Sequence, residues 1–368
     1  MSSSSTDLSD APLENIFEVN VFGPGKGECI AVHSGAGDWI VVDSCTDQLD
    51  ARHPALEYFQ RIGLDVASRV HLVVGTHSHD DHIAGMADLY KRCHAARFVC
   101  SSALTSEEFF ALIEADADVE RVLRQSVRSE YRGIFAEVER RGIHEGRSSG
   151  LRAVEGRTLW ERAAGTLPGA EVRALSPSDH AVSRALKRLA QGTAVVGQRR
   201  HLSASDPNEL AVAVRVDYGP SSVLLGADLL QGPAGCGWSA ALTLSGNRLA
   251  SLIKVPHHGD PGADHPGVWQ EMLGPDPLAI LAPYRAGRKP RPAPEDVARL
   301  KAKTAALYAT ADSQLHAQTK RTKQTAAALA GLASNVREPW GRSGHVRARL
   351  HPGATEWSVE VSSPALRL

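Results

Sequence analysis

The sequence has few cysteines, no long apolar run and almost no net charge, and each shortage excludes a class of protein. Its five cysteines are odd in number and form no CxxC pair, so they indicate neither a disulfide framework nor a zinc knuckle. No stretch approaches the ~18–20 apolar residues that a membrane span requires. The Ser-rich segment Met1–Asp10 lacks the basic start and the apolar run of a secretion signal. We therefore expect a cytoplasmic protein without a membrane segment.

The charge balance limits how the chain could bind nucleic acid. A formal net charge of −1 leaves no overall positive field, which argues against a protein that coats DNA without specificity. A nucleic-acid substrate would have to be attracted by a local patch. With 42% apolar and 23% charged residues, the 368-residue chain has the composition of an ordinary globular protein that buries a substantial core.

Short apolar runs that end in polar residues recur along the chain and predict β-strands. An apolar strand that delivers a polar loop is how a buried sheet sandwich presents an active site along one edge. The predicted strands are Ile16–Val21, Cys29–His33, Asp38–Asp43, Arg69–Val74, Glu171–Leu175, Leu210–Val216, Ser222–Leu225, Leu252–Val255, Leu278–Ala282, Gly344–Leu350 and Glu356–Val361. Helical spacing predicts helices at Pro54–Ile62, Ile83–Arg92 and Pro294–Lys303.

The domain organisation follows from the same survey. Residues 1–12 are expected to be a disordered tail and residues 13–368 a single domain. Ser101–Gly146 is charged but repeats apolar residues every three or four positions, which predicts one buried helical stripe. We interpret it as an insertion that caps the core, or alternatively as a plain packing appendage. Gln314–Arg337 is polar and weakly structured in pattern, and residues 340–368 form a terminal β-hairpin extension.

The segment from Thr76 to His82 carries the strongest chemical signal, the pattern HxHxDH formed by His77, His79, Asp81 and His82. Zinc takes nitrogen and carboxylate donors at about 2 Å in a near-tetrahedral arrangement. Two histidines one residue apart can bind one metal from a tight loop, and the following Asp-His pair can reach a second. A His-rich surface loop or histidines satisfied in the core are the alternatives. The position after an apolar strand and before a helix favours the metal site.

Two other strand ends supply candidate donors. Asp228 follows Ser222–Leu225, where its carboxylate could bridge two metals. His257 and His258 follow Leu252–Val255, and one of the pair is expected to bind the second metal, with His258 slightly favoured. Asp43 ends its strand as a carboxylate that could orient a ligand histidine from behind, or simply cap the strand.

Together the segments DWIVVD, GTHSHDDHIAGM, LLGAD and LIKVPHHG resemble the metallo-β-lactamase superfamily. The chain is most similar to the branch that contains the hydrolase domain of the DNA-uptake protein ComEC, over about Ile16 to Thr310. The resemblance implies an α/β fold, a four-layer αββα sandwich with a helical insertion, and two zinc ions, or manganese in their place. It also implies that Asp81 orients or deprotonates the attacking water.

The resemblance is incomplete in one respect. Many superfamily members place a further metal-ligand histidine between the HxHxDH pattern and the bridging aspartate. His180 and His201 are the candidates here, and both fit surface histidines better. If neither binds, the first metal keeps a more open coordination sphere.

The expected reaction is hydrolysis, because two zinc ions ~3.5–4 Å apart lower the pKa of a bridging water and polarise the scissile bond. A phosphodiester is the favoured bond, since the basic stretch Tyr284–Arg291 follows a strand on the presumed active edge. There Arg285 and Arg288 could contact phosphate, and Lys254 adds another possible contact. A solvated basic loop is the alternative, and its lack of interleaved aromatics gives no support for base stacking.

The predicted partner is therefore nucleic acid or a small phosphodiester, with no membrane, and the sequence does not define the oligomeric state. Two other functions remain: hydrolysis of a lactone, thioester or small-molecule phosphoester, and a non-catalytic metal-binding module.

Overall fold

The computed structural model describes residues 8–23, 27–47, 50–102, 121–145, 150–193, 206–284, 290–313 and 342–368. Within these ranges the chain forms two mixed β-sheets of eight strands each. Gln314–Arg337, predicted to be weakly structured, lies outside the described residues.

The first sheet combines an antiparallel half and a parallel half. Its order is β15-β14-β1-β2-β3-β4-β5-β6, and the pairs from β3 to β6 are parallel. Its strands are β1 (Phe17–Gly23), β2 (Cys29–Ser34), β3 (Trp39–Val42), β4 (Val70–Gly75), β5 (Arg97–Ser101), β6 (Gly150–Ala153), β14 (Gly344–Leu350) and β15 (Ser358–Ser362).

The second sheet places its parallel strands in the middle. Its order is β16-β13-β12-β11-β10-β9-β8-β7, and the pairs from β10 to β13 are parallel. Its strands are β7 (Thr158–Arg162), β8 (Ala170–Ala174), β9 (Val214–Tyr218), β10 (Ser221–Leu225), β11 (Ala250–Lys254), β12 (Leu273–Leu281), β13 (Leu307–Ala309) and β16 (Leu366–Arg367).

Helices cover the outer faces of both sheets. They are α1 (Pro54–Arg61), α2 (Val66–Arg69), α3 (Asp80–Ile83), α4 (Met86–Arg92), α5 (Arg121–Glu145), α6 (Asp179–Thr193), α7 (Asp206–Glu209), α8 (Gly237–Ala241) and α9 (Pro294–Lys301). Short 3-10 turns include Pro256–Gly259, which follows β11.

Three apolar clusters separate the layers. One lies between the sheets, where Val19, Val74 and Val223 contribute fully buried side chains. A second joins the first sheet to α1, α4 and α5, and a third covers the outer face of the second sheet with α8 and α9. The predicted four-layer α/β/β/α arrangement is confirmed.

Some elements differ from the sequence predictions for identifiable reasons. The helix predicted at Ile83–Arg92 is divided into α3 and α4, because Gly85 adopts a left-handed conformation with φ 77°. The strand predicted at Leu210–Val216 starts only at Val214, since the preceding residues turn toward the other sheet, where Val212 N donates to Thr76 O.

The chain ends of the described part are attached to the sheets. Asp10, inside the predicted tail, contacts Arg347 and Arg349 of β14, so this part of the tail is held against the first sheet. β14 pairs with β15 as an antiparallel hairpin. Within the described ranges, no helix is both long enough and apolar enough to cross a bilayer.

Candidate metal centre

Polar side chains gather where the parallel strands of the two sheets end. Asp43 follows β3, Thr76 and the HxHxDH turn follow β4, Asp228 follows β10, and the histidine pair follows β11. Hydrogen bonds from Asp43 N to Val74 O (2.8 Å) and from Val212 N to Thr76 O (3.0 Å) hold these ends together. The convergence follows from the topology, since carboxyl ends of parallel strands share one edge of a sheet.

One group of candidate donors comprises His77, His79 and Asp228, whose ligand atoms lie within 4.8 Å of one another. His77 Nε2 is 3.0 Å from His79 Nδ1 and 3.8 Å from Asp228 Oδ2. Two histidines one residue apart therefore direct their nitrogens to the same place, as the spacing predicts.

A second group centres on His82 and His258. Their Nε2 atoms each lie 3.4 Å from Asp228 Oδ2, and they lie 3.6 and 3.4 Å from Asp81 Oδ2. Asp228 thus contributes to both groups through one carboxylate, in the arrangement that a bridging ligand requires.

The structure distinguishes His258 from His257 as a candidate metal ligand, a choice that the sequence left open. His258 is only 3% exposed, and its Nδ1 lies 2.7 Å from the Ala282 carbonyl oxygen, which leaves Nε2 directed at the two carboxylates. His257 is 26% exposed; its Nε2 lies 3.9 Å from Asp228 Oδ2 and 3.2 Å from Asn208 Nδ2. Both have positive φ, 47° and 54°, a strained conformation of the kind that clusters at functional sites.

Asp43 lies behind the second group. Its Oδ2 is 2.6 Å from His82 Nδ1, while its two oxygens accept from Thr76 N and Thr76 Oγ1 at 2.8 Å each. A carboxylate on Nδ1 fixes the ring and leaves Nε2 free for a metal.

Burial and mutual charge set the pKa values of the group. Burial lowers the pKa of His77, and the neighbouring His82 and His79 lower it further. Burial also opposes charge on His258, yet Asp228 and Asp81 outweigh it and raise the pKa of His258 to about 10. Burial alone would raise the pKa of Asp228, but His258 and His82 hold it well below its usual range. The cluster thus favours carboxylates in their anionic form.

These donors fit divalent cations. His82 Nε2 and Asp228 Oδ1 are buried without a hydrogen-bond partner, a condition that is rare in proteins and that a bound cation would relieve. Imidazole nitrogens with carboxylate oxygens are a donor set typical of zinc and manganese.

Other sequence-predicted residues lie apart from this cluster. His180 is exposed on α6 and belongs to neither donor group, while His201, Arg285 and Arg288 lie outside the described residues. Lys254 is fully buried and its ammonium contacts Glu28. Because a buried, paired ammonium does not meet a phosphate arriving from solvent, the predicted phosphate contact of Lys254 is wrong.

Several contacts at the site were not predicted from the sequence. Glu28 lies beside both His82 and His258, Asn208 beside His257, and the Tyr284 ring stacks on His258 with centroids 5.1 Å apart. Tyr131 on α5 donates from its hydroxyl to His77 O at 3.4 Å. An acidic residue directly before a buried strand, Glu28, is the one signal in the sequence that could have indicated its contacts, and it does not identify its partners, which are distant in sequence.

Comparison with known proteins agrees with this geometry. The model of the metallo-beta-lactamase superfamily matches residues 22–235. Because this match covers more than half of the chain, the protein belongs to the metallo-beta-lactamase superfamily. Members of this superfamily are largely hydrolytic enzymes and usually bind metal ions. No curated protein matches the chain.

Solved structures resemble it at low identity. The metallo-beta-lactamase fold protein YhfI from Bacillus subtilis is 12% identical, with 79% of this chain and 95% of that chain covered and a TM-score of 0.38. A metallo-beta-lactamase HARLDQ motif mutant from Cronobacter sakazakii is 11% identical, with 67% and 80% covered and a TM-score of 0.33.

Proposed function

We propose that this protein is a metal-dependent phosphodiesterase that acts on nucleic acid or on a small phosphodiester. One observation carries the proposal: Asp228 Oδ2 lies 3.4–3.9 Å from the Nε2 atoms of four histidines, His77, His82, His257 and His258. A single carboxylate among so many imidazoles suits two neighbouring cations better than one. The motif resemblance to the ComEC-type hydrolase domain supports the same reading.

The candidate donors would have separate roles in metal binding and catalysis. His77, His79 and Asp228 would hold one cation, and Asp81, His82, His258 and Asp228 the other. Two bound cations, zinc or manganese, would supply a water of lowered pKa and positive charge for the reacting oxygens. Asp81 would orient that water and accept its proton, because its carboxylate faces the site and stays anionic there; His82 and His258 keep its pKa below the usual range despite burial.

The choice of a phosphodiester rests on the basic residues that follow Tyr284 in the sequence. Tyr284 stacks on His258, and directly after it the chain continues into Arg285, Arg288 and Lys289. A basic segment that follows Tyr284 directly in the sequence is suited to hold the phosphate of a substrate. Arg291, which ends this segment, pairs with Asp260 and Asp296 at 2.7 Å, so we do not include it.

The direct test is a substrate panel with the zinc- or manganese-loaded protein. It would include single- and double-stranded DNA, RNA, bis-p-nitrophenyl phosphate, a lactone, a thioester and nitrocefin. We expect turnover of the phosphodiesters. Turnover confined to the lactone, the thioester or nitrocefin would overturn the phosphodiesterase proposal in favour of a hydrolase of another bond.

Variants distinguish catalysis from contamination. His79→Ala and Asp81→Asn should abolish turnover while the fold persists, whereas Asp80→Asn, at the adjacent aspartate outside both donor groups, should retain it. Full turnover in both His79→Ala and Asp81→Asn would refute the mechanism.

Charge reversal tests the basic segment. Arg285→Glu with Arg288→Glu should weaken nucleic-acid cleavage far more than hydrolysis of bis-p-nitrophenyl phosphate. The matched control is charge reversal of two exposed arginines of the second sheet, Arg157 directly before β7 and Arg173 within β8. Equal loss on both substrates would count against a phosphate-binding role.

A further inference from the structure

A buried ion pair next to the second donor group has no role in the function proposed above. Glu28 immediately precedes β2 in the first sheet, and Lys254 is the last residue of β11 in the second sheet. Neither residue exposes any surface, and the Lys254 ammonium contacts a Glu28 carboxylate oxygen. The pair therefore connects the two sheets inside the protein.

Glu28 lies close enough to the second group to be a donor itself. Its oxygens are 3.9 Å from His82 Nδ1 and 3.7 Å from His258 Nδ1. One of them also lies within 4.8 Å of candidate ligand atoms of His82, Asp228 and His258. A free carboxylate at such a position would be an additional metal ligand.

Glu28 is not needed to orient the histidines. His82 Nδ1 already has Asp43 Oδ2 at 2.6 Å, and His258 Nδ1 has the Ala282 carbonyl oxygen at 2.7 Å. Both acceptors are more than 1 Å nearer than Glu28. Among the neighbouring groups, Lys254 offsets the negative charge of Glu28 most, and His82 and His258 contribute less.

We propose that Lys254 is a positioning residue of the metal centre, whose ammonium holds the Glu28 carboxylate outside the coordination sphere of the second group. The inference rests on the metal-binding half of the proposed function and is independent of the bond that is cut. A buried carboxylate is costly without a cation. With Lys254 removed, the cation that Glu28 can reach is the metal bound by His82 and His258.

The two partners therefore have opposite effects on metal binding. Lys254→Met removes a positive charge and releases an oxygen donor, so the metal binds more tightly and gains a ligand. Glu28→Gln leaves an ammonium buried near a dication, and the metal binds more weakly. The double variant Glu28→Gln/Lys254→Met has neither charge and returns toward the wild-type affinity. If the pair only joins the two sheets, the two single variants should not change metal affinity in opposite directions.

The test is a titration of metal-free, full-length protein with Co²⁺, followed through its visible absorption. We expect Lys254→Met to tighten one of two dissociation constants by about tenfold and Glu28→Gln to weaken one by about 10- to 100-fold, the range typical of changes behind metal ligands. The absorption intensity per Co²⁺ should fall in Lys254→Met, because an added oxygen ligand raises the coordination number, and it should recover in the double variant.

A matched control separates charge placement from folding. Arg141 is also fully buried and pairs with Glu137 at 2.8 Å, but it bonds main-chain carbonyls of Tyr90 and Ala96 away from the donors. Arg141→Met should lower the unfolding temperature and leave Co²⁺ affinity unchanged. If Lys254→Met does not fold, Lys254→Gln carries the same expectation, because a neutral amide has no positive charge to hold the Glu28 carboxylate away from the metal.

Three results overturn the inference. Shifts of Co²⁺ affinity in the same direction for both single variants, or no shift in either, contradict it and leave the proposed phosphodiesterase intact. A wild-type chain that binds no Co²⁺ overturns the metal-dependent function and this inference together.

Discussion

At the scale of single residues, the candidate donors are held by partners that need not touch a metal. Asp43 connects Thr76 to His82, and the Ala282 carbonyl oxygen accepts from His258 Nδ1. These bonds fix which ring nitrogen faces the shared carboxylate of Asp228. Because each donor ring is anchored from behind, a metal would meet a preformed site and not a set of mobile side chains.

Substitution of Asp43 tests this anchoring. Asp43→Asn should weaken metal binding by about 10- to 100-fold, because the amide is a poorer acceptor for His82 Nδ1 and removes a balancing negative charge. Calorimetric titration of the metal-free protein with Zn²⁺ measures the change. Asp38→Asn is the matched control, since Asp38 makes a similar bond to His71 at 2.9 Å on another part of the first sheet. Equal effects of the two substitutions would contradict a positioning role for Asp43.

A second residue-scale prediction concerns His33, a buried histidine away from the donors. Its Nε2 accepts from Gly37 N at 3.1 Å, and burial lowers its pKa from 6.5 to about 4. Because the unfolded chain binds a proton at higher pH than the folded protein, the stability from His33 is present above pH 6.5 and is lost as the pH falls toward 4.

The size of this effect can be measured as a difference. Between pH 7 and pH 5 we expect His33 to account for a loss of about 2 kcal/mol in the free energy of unfolding. His33→Gln keeps an acceptor for Gly37 N but does not titrate, so its urea-unfolding stability should fall less over the same range. Parallel pH slopes for the two proteins would disprove the assignment.

At the scale of elements, the turn between β4 and α4 is held on several sides. It carries the HxHxDH donors, and Gly85 ends it with φ 77°. Glu130 on α5 accepts from Gly85 N at 3.1 Å and from Ala87 N at 2.8 Å. Tyr131, the next residue of α5, reaches the carbonyl of His77. The predicted helical insertion therefore packs directly on the donor turn where the structure describes it.

Substitution of Gly85 tests how closely this turn is confined. An alanine Cβ at Gly85 would lie 2.9 Å from Thr46 Cγ2, whereas at Gly63, with φ 70°, it would meet nothing within 4 Å. Gly63→Ala should cost about 1–2 kcal/mol of unfolding free energy from backbone strain alone. Gly85→Ala should cost at least about 1 kcal/mol more through overpacking. Denaturant unfolding measures both losses of stability. Equal losses would show that the turn can accommodate a Cβ at Gly85 without overpacking.

A strand or helix could be predicted when its own residues form a recognisable pattern in the sequence. β1, β2, β10 and α1 follow from apolar runs and helical spacing, because each buries its own side chains. α6 was not predicted, and β6 and β7 were not either. The formation of β6 depends on a neighbour from a distant part of the chain, because β6 pairs with β5.

At the scale of the whole molecule, the candidate site exists only because the two sheets meet. His77, His79, Asp81 and His82 come from the first sheet, and Asp228 and His258 come from the second. Sequence analysis could propose the donors, since each is a polar residue at the end of an apolar strand. It could not pair Glu28 with Lys254 or Asn208 with His257, because those contacts follow from tertiary packing and leave no local pattern.

A site shared by two sheets should couple metal binding to global stability. Metal that binds the folded state alone stabilises it by about 2.7 kcal/mol at a concentration 100 times the dissociation constant. Chelation should therefore lower the unfolding temperature of the wild type, while Asp228→Asn should respond much less. Differential scanning calorimetry with and without chelator measures this, and an unfolding temperature that chelation leaves unchanged would oppose a metal shared between the sheets.

The central claim is that this centre hydrolyses a phosphodiester only when both donor groups hold metal. Hydrolysis of bis-p-nitrophenyl phosphate by metal-free protein, titrated with Zn²⁺ or Mn²⁺, tests it most directly. We predict no turnover without metal, a rise that saturates at two equivalents per chain, and a loss of at least about a hundredfold in Asp228→Asn. Turnover that persists without metal, or that survives in Asp228→Asn, would contradict the account.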